Sequence, residues 1–286
     1  MKSTIKEMPI AGQLLKNLGA LNRNIKHVVQ SSLFYLKNKK LLSLNKVLAG
    51  SAAGRRAFIL ATGPSIKTQD LSRLQGELCV SVSNFFVHPD FKKISPEYHI
   101  FPASHKPITV EQMLDLLRDA EKHFPDGQKI FMSATDKYLV EKFGVFKKQK
   151  VYYYLISSSP LTAQGMINFS KRLPIIQTSP HIAVYLSLYL DVKEIYLLGV
   201  DHDWILHIGE TRHFYDEKKS ALAQTGYNEW LESDLGTECE AYGRLWKIYR
   251  QIRTYATKHK VVIINATTGS LLDVFPRANL EEILKK

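Results

Sequence analysis

The sequence predicts an α/β fold of the Rossmann-like class: a mostly parallel sheet with helices on both faces, preceded by an N-terminal basic helical segment. From residue 51 onward, short apolar runs alternate with segments of helical periodicity, as in a chain of βαβ units. The helical segments are long enough to serve as crossovers between parallel strands. All acidic side chains except Glu7 follow residue 69, so the segment before the sheet differs from it in composition.

The individual elements are predicted from periodicity and from the turn residues that bound them. Seven short apolar runs predict strands at 56–61, 78–83, 98–101, 129–132, 151–155, 194–199 and 260–265. Between them, helical spacing predicts helices at 110–123, 135–143, 180–191 and 237–258. The chain is therefore expected to consist of a basic amphipathic helical segment at 1–50 and a Rossmann-like domain at 51–286.

Length and composition favour a globular protein. With 286 residues and 45% hydrophobic side chains, the chain can bury a sizeable core. No apolar run approaches the roughly 18 residues that cross a bilayer, and the N-terminus lacks the apolar core of a signal peptide, so a cytoplasmic location is expected. Two cysteines, Cys79 and Cys239, are too few for a disulfide framework or a zinc site. Both are expected to be buried, reduced thiols.

The positive charge is concentrated in the first quarter of the chain. Residues 8–69 hold ten lysines and arginines and no acidic side chain. Apolar residues recur there at helical spacing: Leu14, Leu18, Leu21, Ile25, Val28 and Val29. Two interpretations stay open: residues 8–48 contact an anionic membrane, or they dock on the core with the basic face in water. No zinc-finger spacing or ribonucleoprotein motif supports nucleic-acid binding.

The turn after the first predicted strand carries the first candidate site residues. In an open parallel sheet the ligand crevice lies at the carboxyl ends of the strands. At that edge Gly63 and Pro64 enforce a tight turn, and Ser65 offers a hydroxyl beside freed backbone N–H groups. Asn84 ends the next strand, and its amide can read a base or ribose edge. Both segments also suit ordinary turns.

The helix predicted at 180–191 begins with a strong start signal. Ser179 is expected to be the N-cap and Pro180 the first helical residue. The N–H groups of such a helix start, together with the hydroxyls of Thr178 and Ser179, form a natural seat for a phosphate. Simple capping explains part of this pattern as well.

The longest irregular region, 201–234, directly follows a predicted strand. Its first part contains clustered ionisable residues: Asp201, His202, Asp203, His207 and His213. Their spacing matches none of the standard metal motifs, so no metal site is predicted. A histidine in a loop above the ligand edge is a candidate general base, because its pKa lies near the working pH.

Four stretches together resemble a known family: FILATGPSI, SNFFVHPDF, QTSPHIAVYLSLYLDVKEIYLLGVD and NATTGSLLDVFP. They resemble the small bacterial sialyltransferases that use CMP-sialic acid. They are also similar to the MptE-like and motility-accessory-factor proteins, some linked to pterin diphosphorylation and others to glycosylation with nonulosonic acids. The resemblance covers residues 56 to about 280 in matching order.

This resemblance implies a role for each matching residue. Gly63, Ser65 and Asn84 would hold the CMP moiety, and Thr178 and Ser179 would contact the nucleotide phosphate or the sugar carboxylate. The same three segments add Thr62, Pro64 and Gln177 as candidate donor-binding residues. His213 would act as the base, and Asp201 would position the loop or a donor hydroxyl. The chain departs from the family where Thr62 replaces an asparagine, where Gln177 is the nearest residue to a family arginine, and where Asp203 replaces a tyrosine.

The leading hypothesis is an inverting, metal-independent glycosyltransferase without a cofactor. It would move a sialic-acid-like sugar from a CMP donor to a bacterial surface glycan or lipid-linked acceptor at the inner membrane face. One alternative is a diphosphokinase that uses ATP and Mg²⁺ held by carboxylates such as Asp201 and Asp203. Another is a non-catalytic nucleotide-binding or assembly protein of a glycan pathway.

Overall fold

The computed structural model describes residues 28–106, 108–207, 212–216 and 234–285, together with Lys26 and Glu210. The chain divides into two compact units between Leu41 and Leu42. Helix α1 covers residues 28–43. The earlier part of the predicted basic segment, including Leu14 to Ile25, lies outside the described residues. No helix in the described ranges combines the length and apolarity needed to cross a membrane.

Helix α1 exposes apolar side chains beside lysines. Val28, Val29, Leu33 and Leu36 are each between 50% and 62% exposed. Nearby lysines, at positions 37, 39 and 40, are also exposed. The helix therefore presents apolar and cationic groups together.

The larger unit is built on one eight-stranded sheet in which every described strand pair is parallel. In chain order its strands are β1 (Arg56–Leu60), β2 (Leu78–Val82), β3 (Tyr98–Ile100), β4 (Lys129–Ser133), β5 (Lys150–Ile156), β6 (Arg172–Leu173), β7 (Glu194–Leu198) and β8 (Val262–Asn265). Across the sheet the order is β6-β5-β4-β3-β2-β1-β7-β8. The Rossmann-like prediction is confirmed.

Six further α-helices follow α1 in the described chain: α2 (Phe91–Ile94), α3 (Val110–His123), α4 (Lys137–Phe143), α5 (Ser179–Tyr189), α6 (Leu235–Lys258) and α7 (Leu280–Ile283). Short 3₁₀ helices complete the described elements: Leu44–Leu48, Pro64–Thr68, Leu71–Leu74, Ser83–Val87, Ala134–Asp136 and Trp204–Leu206. Local chemistry explains the predicted starts. A reciprocal capping box of Thr109 and Gln112 begins α3.

The strand order reverses next to β1. Strands β2 to β6 extend the sheet to one side of β1, and β7 and β8 extend it to the other. Because crossovers between parallel strands are right-handed, the connections of the two halves cover opposite faces. Residues 57–60 of β1 and 78–82 of β2 are at most 1% exposed, as expected for strands covered on both faces. The boundary between the paired strands β1 and β7 is the topological switch point, and open α/β sheets bind ligands at the carboxyl ends of the strands there.

The structure corrects several element predictions. Strand β6 was not predicted, because its two residues are too short to show a pattern and Pro174 follows them. The last strand begins at Val262 rather than at residue 260, because Lys260 has a φ of 59° in the turn after α6. Cys79 is buried as expected, but Cys239 is exposed. It lies one position, or about 100° of helix turn, beyond the buried Glu238 of α6.

Candidate functional site

The turn after β1 is held against the end of β7 by a carboxylate clamp. The N–H of Gly63 donates to the carbonyl of Gly199 at 2.9 Å. Both oxygens of Asp201 accept from Ser65, Oδ1 from the backbone N–H at 3.0 Å and Oδ2 from the hydroxyl at 2.8 Å. A Cβ on residue 63 would lie 1.8 Å from Asp201 Oδ2, so this approach requires glycine. The clamp fixes the turn at the switch point.

The environment of Asp201 suits a structural carboxylate. Asp201 is only 7% exposed. Burial raises the pKa of Asp201, and the hydrogen bonds from Ser65 and the nearby charge of Arg212 oppose that rise. Because both oxygens already accept from Ser65, Asp201 positions the turn in this structure.

The start of α5 lies beside the end of β2. Helix α5 begins at Ser179, and its N-cap is Thr178, whose side chain makes no capping hydrogen bond. The prediction of Ser179 as the cap is therefore wrong by one residue, because Ser179 is already helical and Thr178 has the extended backbone of a cap. The Ser83 hydroxyl donates to the Ser179 hydroxyl at 3.2 Å. Two hydroxyls from distant segments thus meet at a helix N-terminus.

Ser83 is a site residue that sequence reasoning missed. It has a φ of 52°, in the left-handed region that a serine rarely adopts. That conformation turns the chain sharply out of β2 and leads into Asn84, which is buried within the short 3₁₀ helix. The only signal in the sequence was a serine at the last position of the predicted strand, directly before Asn84.

Gln177 contributes its backbone, rather than its side chain, to the candidate site region. Its N–H donates to Nδ1 of His181 at 3.2 Å. His181 is fully buried, which lowers its pKa well below the ordinary value. The Gln177 side chain is exposed. The imidazole thus fixes the backbone that leads into Thr178.

The segment 212–216 brings His213 to the turn after β1. The N–H of Phe214 donates to the carbonyl of Thr62 at 3.0 Å. The Phe214 ring packs against Phe85 and His88, with centroid distances of 6.0 and 5.2 Å. The ring of His213 stacks on Tyr215 at 5.0 Å. Residues 217–233 of the predicted loop lie outside the described residues.

The other two histidines of this loop have different surroundings. His202 is buried, and its Nε2 lies 2.8 Å from the Tyr249 hydroxyl. Burial lowers the pKa of His202 to about 3, so it stays neutral at physiological pH. His207 faces two carboxylates, with its Nδ1 3.3 Å from Glu210 and its Nε2 3.9 Å from Asp203. The hydrogen bond from Phe214 to Thr62 carries His213 to the β1 turn, whereas His202, which follows the clamping Asp201, is buried against Tyr249.

Arg212 is a second residue that sequence reasoning missed. Its Nη2 donates to Oδ2 of Asp203 at 2.6 Å, and both side chains are partly buried. The sequence signal was an arginine directly before His213. The ion pair fixes the guanidinium of the residue that precedes the candidate base in the chain, and it occupies one of the carboxylates considered for a metal site.

Neither a family model nor a curated protein matches this sequence. Among solved structures, the sialyltransferase CstII from Campylobacter jejuni in complex with a substrate analogue, CMP-3FNeuAc, matches with a TM-score of 0.41 and 17% identity over 78% of this chain and 85% of that chain. The sialyltransferase CST-II in complex with trisaccharide acceptor and CMP gives the same values. A crystal structure of monomeric CstII gives a TM-score of 0.40 and 16% identity over 78% of this chain and 85% of that chain. Because these similarities are weak, the fold assignment rests on the strand order of the sheet itself.

Proposed function

We propose that this protein is an inverting, metal-independent glycosyltransferase that transfers a sialic-acid-like sugar from a CMP donor to a glycan or lipid-linked acceptor. The main support is the convergence of three segments at the switch point of the sheet. They are the clamped turn at Gly63 and Ser65, the hydroxyl pair of Ser83 and Ser179, and the segment that carries His213. The choice of CMP follows the sequence motifs in the same three segments.

The donor phosphate would sit at the N-terminus of α5. Helix N–H groups and the helix dipole favour an anion there, and the hydroxyls of Thr178 and Ser179 add hydrogen-bond donors. Thr178 makes no capping bond, so its hydroxyl is not committed to the helix backbone. The turn at Gly63 and Ser65 and the buried Asn84 would hold the cytidine and ribose. Arg212 would supply a guanidinium near the leaving phosphate.

The reaction would be a single displacement at the anomeric carbon. His213 would take the proton from the acceptor hydroxyl as that oxygen forms its bond to the anomeric carbon. The bond from this carbon to the phosphate oxygen breaks at the same time, and CMP leaves with the electron pair. The helix start and Arg212 would stabilise the charge on the departing phosphate. Attack from the face opposite CMP gives inversion.

A peripheral membrane contact through residues 8–48 is part of this proposal. Its support is the exposed Leu33 and Leu36 of α1 beside lysines 37, 39 and 40, in a region without acidic residues. Near an anionic surface each lysine contributes about 1 kcal/mol, so neutralising all three should weaken binding to phosphatidylserine vesicles by roughly 100-fold.

The vesicle experiment uses the full chain with all three lysines changed to glutamine. The matched control is Lys92→Gln with Lys93→Gln, two exposed lysines of α2. A separate variant, Leu33→Ser with Leu36→Ser, tests the apolar part. Unchanged vesicle binding in both test variants would favour the interpretation in which the segment docks on the core.

Thermal unfolding with a nucleotide panel tests the activity proposal. A ligand that binds only the folded state raises the free energy of unfolding, by about 2.7 kcal/mol at 100 times its Kd. CMP, CDP, UDP, GDP and ATP are compared with and without Mg²⁺. We expect CMP to raise Tm without Mg²⁺. A rise in Tm with ATP but with no other nucleotide, and only when Mg²⁺ is present, would favour the diphosphokinase. To bind Mg²⁺ in that case, Asp201 would have to give up its hydrogen bonds from Ser65, or Asp203 its ion pair with Arg212.

A further inference from the structure

One face of α6 holds the segment that follows β7. Glu238, Tyr242 and Tyr249 are separated by four and seven residues, so they lie on the same face of the helix. Each makes a hydrogen bond to the segment after β7. Oε2 of Glu238 accepts from the indole N–H of Trp204 at 2.5 Å. The Tyr249 hydroxyl lies 2.8 Å from Nε2 of His202.

The Tyr242 hydroxyl bridges the two ends of this segment. It donates to the carbonyl of His202 at 2.6 Å and accepts from the N–H of Ile205 at 3.1 Å. His202 has a φ of 47°, in the left-handed region that residues other than glycine rarely adopt. Such a conformation persists only where the surrounding structure holds it. The hydrogen bond from Tyr242 is therefore one of the contacts that fix the chain at His202.

Asp203 lies between the two residues that Tyr242 bridges. Its Oδ2 accepts from Nη2 of Arg212 at 2.6 Å, and within the described part of the chain this is the only hydrogen bond of the Arg212 side chain. Nε of Arg212 is buried and has no hydrogen-bond partner among the described residues. The position of the guanidinium therefore depends on Asp203, whose backbone is held by α6.

We propose that Tyr242 is a positioning residue for Arg212 and, through it, for sugar transfer. The inference rests on the proposed function, in which this guanidinium stabilises the charge on the departing phosphate. Tyr242 acts through Asp203, because it holds the backbone on both sides of that residue. A guanidinium that is oriented before the donor binds needs less reorganisation in the transition state.

Tyr242→Phe removes the bridge and keeps the ring. The ring packs against Trp204 and Trp246, with centroid distances of 4.4 and 5.1 Å, and phenylalanine preserves these contacts. The matched control is Tyr255→Phe in the same helix, since the Tyr255 hydroxyl makes no hydrogen bond among the described residues. A second variant, Glu238→Gln, weakens the attachment of Trp204 because the acceptor loses its charge.

The first measurement follows Arg212 in the full-length protein without donor. Its Nε–H signal is observed by ¹⁵N NMR and assigned from its loss in Arg212→Lys, and the exchange of this hydrogen with water is measured. Because the group is buried, exchange requires local opening of the segment. Tyr242→Phe should raise the exchange rate by about tenfold or more, since two hydrogen bonds that close the segment are lost. Glu238→Gln should raise it as well, and Tyr255→Phe should leave it unchanged.

The second measurement separates positioning from a general effect on the fold. The release of CMP from CMP-N-acetylneuraminic acid is followed with water as the acceptor. Tyr242→Phe should lower kcat by about tenfold with the donor KM nearly unchanged. In the Arg212→Gln background the same substitution should leave kcat unchanged, because no guanidinium is left to position. A general loosening of the structure would lower kcat by the same factor in both backgrounds.

The inference is overturned if Tyr242→Phe leaves the exchange of the Arg212 Nε–H unchanged, if Tyr255→Phe raises it equally, or if kcat falls by the same factor in the Arg212→Gln background. Raised exchange with an unchanged kcat would also overturn it, because the orientation of Arg212 would then not matter for transfer. If the wild type releases no CMP, raised exchange in Tyr242→Phe would support the positioning of Arg212 and count against the proposed transfer reaction.

Discussion

Replacing Gly63 with alanine is expected to break the clamp between the β1 turn and Asp201. The added Cβ would lie 1.8 Å from Asp201 Oδ2 and 2.6 Å from the backbone carbonyl of Gly199. The carbonyl belongs to the turn at the end of a buried strand and cannot move far, so the carboxylate must rotate and release Ser65. Overpacking costs about 1–3 kcal/mol, and each hydrogen bond to a charged group contributes about 1.5–3 kcal/mol. Part of that loss is offset because Asp201 regains hydration, so we expect the free energy of unfolding to fall by roughly 3 kcal/mol.

Urea and thermal unfolding measure this change. In a chain of 286 residues about 3 kcal/mol corresponds to a decrease in Tm of roughly 5 °C. Gly243→Ala is the control, because a Cβ on this exposed glycine of α6 meets no atom within 4 Å. It should raise the free energy of unfolding by about 0.5–1 kcal/mol, since alanine is the better helix former. CMP affinity should fall with Gly63→Ala and stay unchanged with Gly243→Ala.

A double-mutant cycle shows whether the clash with Asp201 is the cause. In the Asp201→Ala background the carboxylate that meets the new Cβ is absent, and only the contact with Gly199 remains. Gly63→Ala should then cost at least about 1 kcal/mol less than it does in the wild type. An equal cost in both backgrounds would refute the clamp as the reason for the glycine.

Three further predictions concern the same site. The free energy of unfolding of the wild type relative to Asp201→Asn should rise as pH falls from 7 toward about 4, because burial raises the pKa of Asp201 and the folded state therefore takes up the proton first. Urea unfolding at several pH values measures this difference, and a difference that does not change with pH would refute the raised pKa. In transfer assays His213→Ala should lower the rate by about 10² to 10⁴-fold with CMP affinity nearly unchanged, whereas His207→Ala should leave the rate unchanged. The opposite result would identify His207 as the base. The double variant Thr178→Ala with Ser179→Ala should bind CMP more weakly, as measured by calorimetry, with little decrease in Tm because the Thr178 side chain makes no capping bond. An unchanged CMP affinity would exclude both residues from the site.

The sequence by itself determined the class of the fold and the edge of the sheet that carries the candidate site. Alternating strand and helix patterns require a covered parallel sheet, and parallel strands bring their carboxyl ends to one edge. The turn at Gly63 and Ser65, Asn84 and the start of α5 were therefore predictable as neighbours. These features depend on local periodicity and turn chemistry, which are visible within a few residues of sequence.

Only the tertiary structure decided which groups meet within that edge. Ser65 and Asp201 are 136 residues apart, and Ser83 and Ser179 are 96 apart. Their pairing depends on the strand order that places β7 beside β1, and on the left-handed turn at Ser83, which no sequence signal announces. The three loop histidines are chemically identical in sequence. Burial lowers the pKa of His202, and a hydrogen bond from Phe214 brings His213 to the turn. Both effects arise from packing between segments far apart in the chain, so the local sequence does not reveal them.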